Sequence, residues 1–235
     1  MIASLFKKSE VLEEQEAPTP NVAVRWYASN ESKRELLSLR HEAYHRAGLI
    51  KESPWGIFAD TYDELPTTIT AGLFRGEHCL STLRLSFLAP GAEGAVLPCE
   101  KVYPEIAAIK AGAQGTIVEL SRLAMDPAIT NTRYRARLYA ATIRAALLAC
   151  LAADAKQLLV ATQMKWRKFY EHVLGFEVVA PPQFYPPGDV PVVLLSHPVD
   201  RAFEQRIRKN AFFKTADGEI DAVRAQIAPL LGSSN

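Results

Sequence analysis

The sequence predicts an α/β (α+β) protein, a mixed sheet with helices on both faces, and three observations point there. Short apolar runs with alternating or β-rich character and longer runs of helical period follow the order β, α, β, β, β, α, β, α, β, β, α. One run, "NTRYRARLYAATIRAALLACLAAD", is rich enough in Ala and Leu to face a core along much of its length. Nothing divides the 235 residues into two cores, and 49% hydrophobic against 23% charged residues is ordinary for one globular unit.

Residues 1–21 are polar, charged and end near a Pro-rich break, and are expected to form an N-terminal arm. "VAVRWYA" reads as the first strand of a domain spanning 22–199. A helix follows in "SNESKRELLSLRHEAYHRAG", with Ser29 or Asn30 as candidate N-cap and Gly48 at its end. "TTITAGLF", the turn "RGEH" and "CLSTLRLSFL" form a hairpin. A loop with "LPCEKVYPEI" leads to a strand over 116–125, and the long helix comes next. "KQLLVATQ" is another strand, and "KWRKFYEHVL" a short helix stopped by Gly175. "FEVV" and "PVVLLSH" are late strands separated by a Pro-rich loop, "APPQFYPPGD". Residues 200–235 are a helical extension expected to pack on the same domain.

Bulk composition removes several function classes. A formal net charge of +1 gives no global pull toward nucleic acid. Three widely spaced cysteines, Cys79, Cys99 and Cys150, suggest neither a disulfide framework nor a metal site, and fit a reducing, cytoplasmic setting. No apolar run reaches transmembrane length. There is no Gly-x-Ser-x-Gly elbow, Walker loop or Gly-rich dinucleotide fingerprint. His41 and His45 lie one helical turn apart but lack a third ligand, so no metal is expected.

What stands out is charge inside apolar patterns. On the first helix Leu36, Arg40, Ala43, Tyr44 and Ala47 share one face, placing Arg40 in an apolar stripe. It is either a rim arginine or part of a salt bridge. Asp60 and Asp63 stand in "FADTYDELP", where turn chemistry alone would account for them. Arg84 shares a strand face with Leu80, Thr82 and Ser86. Glu119 and Arg122 interrupt the greasiest strand, "GTIVELSRLAMDP". Three residues apart, they face opposite sides of a regular strand, and only a β-bulge between them brings both to one side. Three arginines and three acids match for a network. Because buried ion pairs stabilise little compared with apolar packing, a site for a charged small molecule and proton transfer explains them better.

The stretches "LRHEAY", "DTYDELP", "STLRLS" and "VELSRLAM", in that order, resemble acyltransferases of the GNAT superfamily. The resemblance is to the branch of long-chain N-acyl amino acid synthases and acyl-homoserine-lactone (autoinducer) synthases, and it spans roughly residues 22–197. "FYEHVLGFEVV" adds the superfamily's aromatic-helix-Gly-Phe ending, with Tyr170 one residue further from Gly175 than the common spacing. The resemblance implies a mostly antiparallel central sheet with splayed middle strands. It implies an N-acyltransferase moving a fatty acyl group from an acyl carrier protein thioester to the α-amine of an amino acid. Glu119 is then the general base, directly or through a water. Arg84 and Arg122 hold the acceptor's carboxylate, unless one of them is structural and paired with Asp60 or Asp63. Amides after Leu123 face the oxyanion, and Tyr170 protonates the leaving thiolate. Phe184 and Tyr185 close over the acyl chain.

Coenzyme A users of this superfamily carry glycines in the loop that cradles pyrophosphate. Here "TNTRYRARLYA" has Ala136 and Leu138 instead, which favours an acyl-phosphopantetheine donor on a carrier protein over acyl-CoA. No permanently bound cofactor is expected. Arg133, Arg137 and Arg144, with Lys165, Arg167 and Lys168, form a candidate rim for the acidic carrier; a solvated helix face is the alternative. The lactone synthases, which take S-adenosylmethionine, have a tryptophan closer to the first arginine than Trp55 is here. A coenzyme A-dependent N-acetyltransferase and a non-catalytic acyl-binding module are further alternatives; the last would not need Glu119.

Overall fold

The computed structural model describes residues 21–29, 31–92, 95–186, 188 and 190–231. The expected N-terminal arm, apart from Asn21, lies outside the described residues, as do the candidate cap Asn30 and the tail from 232. Seven strands form one sheet: β1 (Ala23–Ala28), β2 (Thr68–Arg75), β3 (His78–Leu88), β4 (Ile117–Met125), β5 (Gln157–Gln163), β6 (Glu177–Phe184) and β7 (Pro191–Pro198). Their order is β1-β2-β3-β4-β5-β7-β6, and every neighbouring pair is antiparallel except β4 and β5. The β2–β3 hairpin closes through Gly76 at φ 60°, a positive angle suited to the tight turn between twisted strands.

The helices are α1 (Arg34–Arg46), α2 (Ile106–Gly112), α3 (Thr132–Ala152), α4 (Met164–Phe169), α5 (Arg201–Lys209) and α6 (Glu219–Ile227). Helix α1 starts later than the sequence suggested. Its N-cap position is Lys33, without a side-chain cap, while Ser29 sits in the turn after β1. The segment read as a loop before β4 contains a 3₁₀ turn (Pro98–Lys101) as well as α2. Strand β6 also runs further than expected, through Pro181 and Pro182 to Phe184. It is the sheet's last strand, where a missing N–H costs no ladder bond, and its register shifts twice around these prolines.

Alternation sorts the core onto two faces. Leu83, Leu85, Val118, Leu120, Leu158 and Val160 point into the larger cluster, which α3 fills with Leu138, Ile143 and Leu147. Phe203 and Ile207 of α5 and Val223 and Ile227 of α6 join that cluster. Each such buried aliphatic side chain contributes about 1.5–3 kcal/mol. On the opposite face, Leu36 and Leu39 of α1 meet Phe74, while Leu97, Cys99 and Tyr103 meet Ile117 and Leu159.

That second face has a polar centre. Thr68, Thr70, Thr82, Arg84, Ser86 and Glu119 are all buried there, in adjacent registers of β2, β3 and β4. Small hydroxyl residues surround the two long charged chains and leave room for them. Thr68 and Ser86 satisfy each other across the strands at 3.1 Å, and the Thr82 hydroxyl donates to the Ala71 carbonyl at 3.0 Å.

Arg144, expected on the carrier rim, is tied inward. It donates to the Lys214 carbonyl and pairs with Glu219 at 2.5 Å, fastening α6 to α3. Arg144→Ala is expected to lower stability by ~1 kcal/mol, or ~2–4 °C in melting temperature, for a partly buried pair in a domain of this size. Thermal melting checks the loss, and the KM for an acyl donor should stay unchanged.

Candidate active site

Parallel β4 and β5 pair only over Ile117–Leu120 and Gln157–Val160, after which they diverge. Beyond Leu120, strand β4 keeps its partner β3 but loses β5, while β5 keeps β7. The gap opens a cleft of about 450 Å³ whose walls include Tyr44, Arg122, Tyr139, Trp166, Tyr170 and Tyr185. That size suits a small-molecule site.

The strand carries the bulge that would put Glu119 and Arg122 together. Register with β3 shifts between Thr82 and Arg84, so that Arg122 and Leu123 are accommodated opposite Leu83, and Arg122 has φ 55°. A non-glycine residue with this angle is uncommon. Its effect is visible in the pairing: Arg122 reaches the same carboxylate as Arg84, on the face that carries Glu119.

The centre of the site is Asp60. Its Oδ1 accepts from Arg84 Nη1 at 2.5 Å, and its Oδ2 accepts from Arg122 Nη2 at 2.6 Å and Nε at 3.1 Å. Burial alone would raise the Asp60 pKa, but the two guanidinium groups outweigh it and hold the carboxyl at about 2. Arg40 Nη1 donates to both oxygens of Asp63, at 3.0 and 2.9 Å. Asp63 also accepts the Asp60 amide in a capping box that opens the 3₁₀ turn Thr61–Glu64. Hence the two aspartates are turn formers and ion partners at once. Arg84 and Asp63 approach at 3.3 Å, which joins the pairs into one chain. The Tyr62 ring lies beside Arg84 and the Phe58 ring beside Arg122, at 5.6 and 5.1 Å from the guanidinium carbons.

Glu119 is completely buried and does not line the cleft, although Leu120 and Ser121 beside it do. Its Oε2 accepts the Cys99 amide at 2.9 Å, and Oε1 has no partner among the described residues. Burial raises its pKa, against the opposing pull of Cys99, Arg84 and Arg122. Three arginines against two aspartates give the chain of ion pairs beside it a formal excess of positive charge.

The other expected residues divide. Tyr170 is buried on the cleft wall, its hydroxyl accepting from Tyr139 at 3.1 Å, and burial pushes it up to about 12. Its shifted spacing is absorbed by a π turn over Tyr170–Leu174, which holds one more residue per turn. Gly175 ends that turn at φ 80°, directly under Arg206, where a Cβ would collide with the guanidinium. Leu123 and Tyr185 line the cleft, as does Lys165. Phe184 does not: it is 68% exposed at the end of β6, whereas Tyr185 after it is half-buried. Arg133 and Lys168 are exposed, Arg137 is half-buried, and Arg167 pairs with Glu171 at 2.8 Å.

Sequence reasoning missed several participants. Lys33 is buried and donates to the Asp63 carbonyl at 2.8 Å. Ser121 accepts from Arg84 Nε at 3.2 Å. Tyr139 and Trp166 stack at 4.7 Å on the cleft wall. The Ser121 contact was within reach of the alternation rule, since the bulge leaves it opposite Arg84.

Residues 35–198 match the family model described as N-acyl amino acid synthase FeeM. The chain belongs to that family. It is accordingly an acyltransferase, of the type that includes N-acyl amino acid synthases and autoinducer synthases. Among solved structures, FeeM, an N-acyl amino acid synthase from uncultured soil microbes, is 22% identical with a TM-score of 0.63, covering 80% of this chain and 96% of that one. The acyl-homoserine lactone synthase LasI is 17% identical at a TM-score of 0.61, covering 79% and 94%. The CoA-dependent acyl-homoserine lactone synthase BjaI is 16% identical at 0.59, covering 87% and 100%. These likenesses establish the shared GNAT-like fold. No curated protein sequence matches the chain. Among the described residues of this FeeM-family chain, no cluster could hold a metal, and no helix is long and apolar enough to cross a membrane.

Two outcomes follow from the ion chain. Asp63→Asn leaves Arg40 buried without its counter-charge and is expected to cost about 3–5 kcal/mol, read by urea denaturation. Asp60 has a depressed folded pKa, so its contribution is present above its unfolded value of about 3.9 and lost as pH falls toward about 2. Stability curves should therefore drop between about pH 4 and pH 2, and drop less in Asp60→Asn.

Proposed function

We propose that this chain is an N-acyl amino acid synthase, transferring a fatty acyl group from a carrier-protein phosphopantetheine thioester to the α-amine of an amino acid. The observation that carries the reading is a buried carboxylate with one unpartnered oxygen, Glu119, beside an ion chain with a formal excess of positive charge at the mouth of a divided sheet. The positive charge suits an acceptor carboxylate, and the carboxylate suits removal of an ammonium or amine proton.

Arg84 is fully buried and joined to Asp60, Asp63 and Ser121, so it acts as the support. Arg122 lines the cleft and is the arginine that meets the acceptor's carboxylate, with Asp60 holding its guanidinium plane. Arg40 and Asp63 fix Asp60 from behind. Glu119, buried away from the cleft wall, takes the amine proton through one water at Oε1. The amine nitrogen then attacks the thioester carbon, and charge gathers on its oxygen. Amides of β4 beyond Leu120, without a β5 partner, are suited to receive it. The C–S bond breaks, and Tyr170 supplies the thiolate's proton; its accepted bond from Tyr139 leaves its own hydrogen directed elsewhere.

Donor choice rests on the start of α3. The Asn131 side chain occupies the Tyr134 amide at 2.9 Å, and side chains stand where glycines would admit a pyrophosphate. Exposed Arg133 and Lys168, with Lys165 at the cleft, suit an acidic carrier. Trp55 is 75% exposed and takes no part in the cleft, which gives no support to a lactone synthase.

Mass spectrometry of lipid extracts from cells expressing the chain tests the reading. An N-acyl amino acid absent from control cells is expected, and a homoserine lactone would overturn it. Glu119→Gln keeps an acceptor for the Cys99 amide, so the fold should hold while kcat falls about 10²–10⁴-fold with little change in the acceptor's KM. Full activity in that variant would remove Glu119 from the chemistry.

A further inference from the structure

A buried phenol is a reluctant acid. Tyr170 is enclosed by the protein, so the phenolate left after it gives up a proton has little water to stabilise it. Two of its neighbours offer only rings: Phe169 stands edge-on at 5.3 Å and Phe176 at 5.5 Å. Among the described residues, the one hydrogen bond to the Tyr170 side chain comes from Tyr139, whose hydroxyl donates at 3.1 Å.

Tyr139 is itself held for this contact. It stands on α3 and is buried, and both tyrosines line the cleft. Its ring stacks on Trp166 at 4.7 Å, with 8° between the planes, and meets Phe169 edge-on at 5.2 Å. Trp166 and Phe169 lie three apart on α4, so one face of that helix grips the ring, and Tyr170 follows Phe169 directly. A ring gripped on two sides keeps its oxygen in one place, and here that place is beside the Tyr170 hydroxyl. The bond uses a lone pair of Tyr170 and leaves the Tyr170 hydrogen for another acceptor.

We propose that Tyr139 is a positioning residue for the acyl transfer: its hydroxyl aims that of Tyr170 at the leaving sulfur and stabilises the phenolate once the proton has gone. This rests on Tyr170 being the acid of the proposed reaction. As the C–S bond of the tetrahedral adduct breaks, its electron pair passes to sulfur, and the Tyr170 proton moves to that sulfur. The electron pair of the Tyr170 O–H bond stays on oxygen, where the Tyr139 hydrogen is already directed. Solvent then takes the amine proton from Glu119 and returns one to Tyr170, so the cycle closes without another reactant. A weakly basic thiolate leaves without a proton, so both tyrosines matter only for donors with a basic leaving thiol.

The test uses the full chain with Tyr139→Phe, Tyr170→Phe and the double variant. Phenylalanine keeps the ring that packs on Trp166 and Phe169 and removes only the hydroxyl. Two dodecanoyl thioesters serve as donors, one of N-acetylcysteamine, an alkyl thiol, and one of 4-nitrothiophenol, an acidic aryl thiol. The common amino acids together serve as acceptors, and mass spectrometry counts the product. With the alkyl donor, kcat is expected to fall about 10²-fold in Tyr170→Phe and about five- to tenfold in Tyr139→Phe, with KM unchanged. With the aryl donor, both variants should stay within about twofold of the parent. The double variant should be no slower than Tyr170→Phe, because Tyr139 acts through Tyr170. A loss in Tyr139→Phe that is equal on both donors, or that adds to the loss in Tyr170→Phe, marks a purely structural role and overturns the inference. Equal losses on both donors in Tyr170→Phe would show that Tyr170 is not the acid; the inference then falls with that step, while acyl transfer itself stands. The contact is also read without turnover, by ¹³C NMR of ζ-labelled tyrosine, with the Tyr170 signal assigned by its loss in Tyr170→Phe. That signal should shift in Tyr139→Phe, and an unmoved signal contradicts the inference. Should Tyr139→Phe fail to fold, the same bond is read from its other end: the Tyr139 signal, assigned by its contacts with Trp166, must shift in Tyr170→Phe.

Discussion

Asp60 receives two guanidinium groups that sequence places on different strands, and much of the site's geometry follows from that sharing. Arg84 comes from β3 and Arg122 from β4, so the carboxylate acts as a clasp across the pair at the point where β4 leaves β5. The clasp needs the bulge, because a regular β4 would turn Arg122 to the opposite face. It also needs the capping box, because a free loop would not hold Asp60 where both arginines can reach it. Arg40 and Lys33 anchor Asp63, which anchors Asp60 in turn. Backbone conformation and charge therefore support each other, and neither would persist without its counterpart.

The same arrangement explains how a chain can keep so much charge in its interior. An isolated arginine there would be very costly, and pairs of this kind contribute little to net stability. Here the surrounding face is built from threonine and serine, small side chains that leave space beside the guanidinium groups; the hydroxyls of Thr68, Ser86 and Thr82 are satisfied locally, while that of Thr70 has no partner among the described residues. The opposite face of the same strands is mainly apolar and packs against α3, with Ser81 and Thr142 bonded to each other across that contact. Most of the apolar core lies on that face, and the charged centre lies on the other.

Much of the site was legible because its residues violate the pattern around them. Arg40 in an apolar helix stripe, Arg84 within a strand, and Glu119 with Arg122 in β4 all stand out against their apolar surroundings; the three arginines meet at Asp60 and Asp63, and Glu119 lies within reach of Arg84 and Arg122. The strand order and the long helix were legible for the complementary reason, that their apolar periods are regular. What escaped notice acts through main-chain groups or through partners distant in sequence. Cys99 matters through an amide, and Lys33 through a carbonyl 30 residues away. Arg144 looks like a surface helix arginine until α6 is placed beside it. Phe184 and Tyr185 were read as one loop unit, but β6 continues to Phe184, and the two side chains separate.

Strand β6 carries a consequence beyond this chain's own interior. As the terminal strand of the sheet it presents one row of main-chain groups to whatever lies beside it, and Val178 and Val179 make part of that border apolar. Another molecule arriving with an extended segment would find donors missing at Pro181 and Pro182 and a register broken by two irregularities. Such a border resists recruitment of further strands, which keeps crowded or partly unfolded copies from propagating the sheet into a fibril.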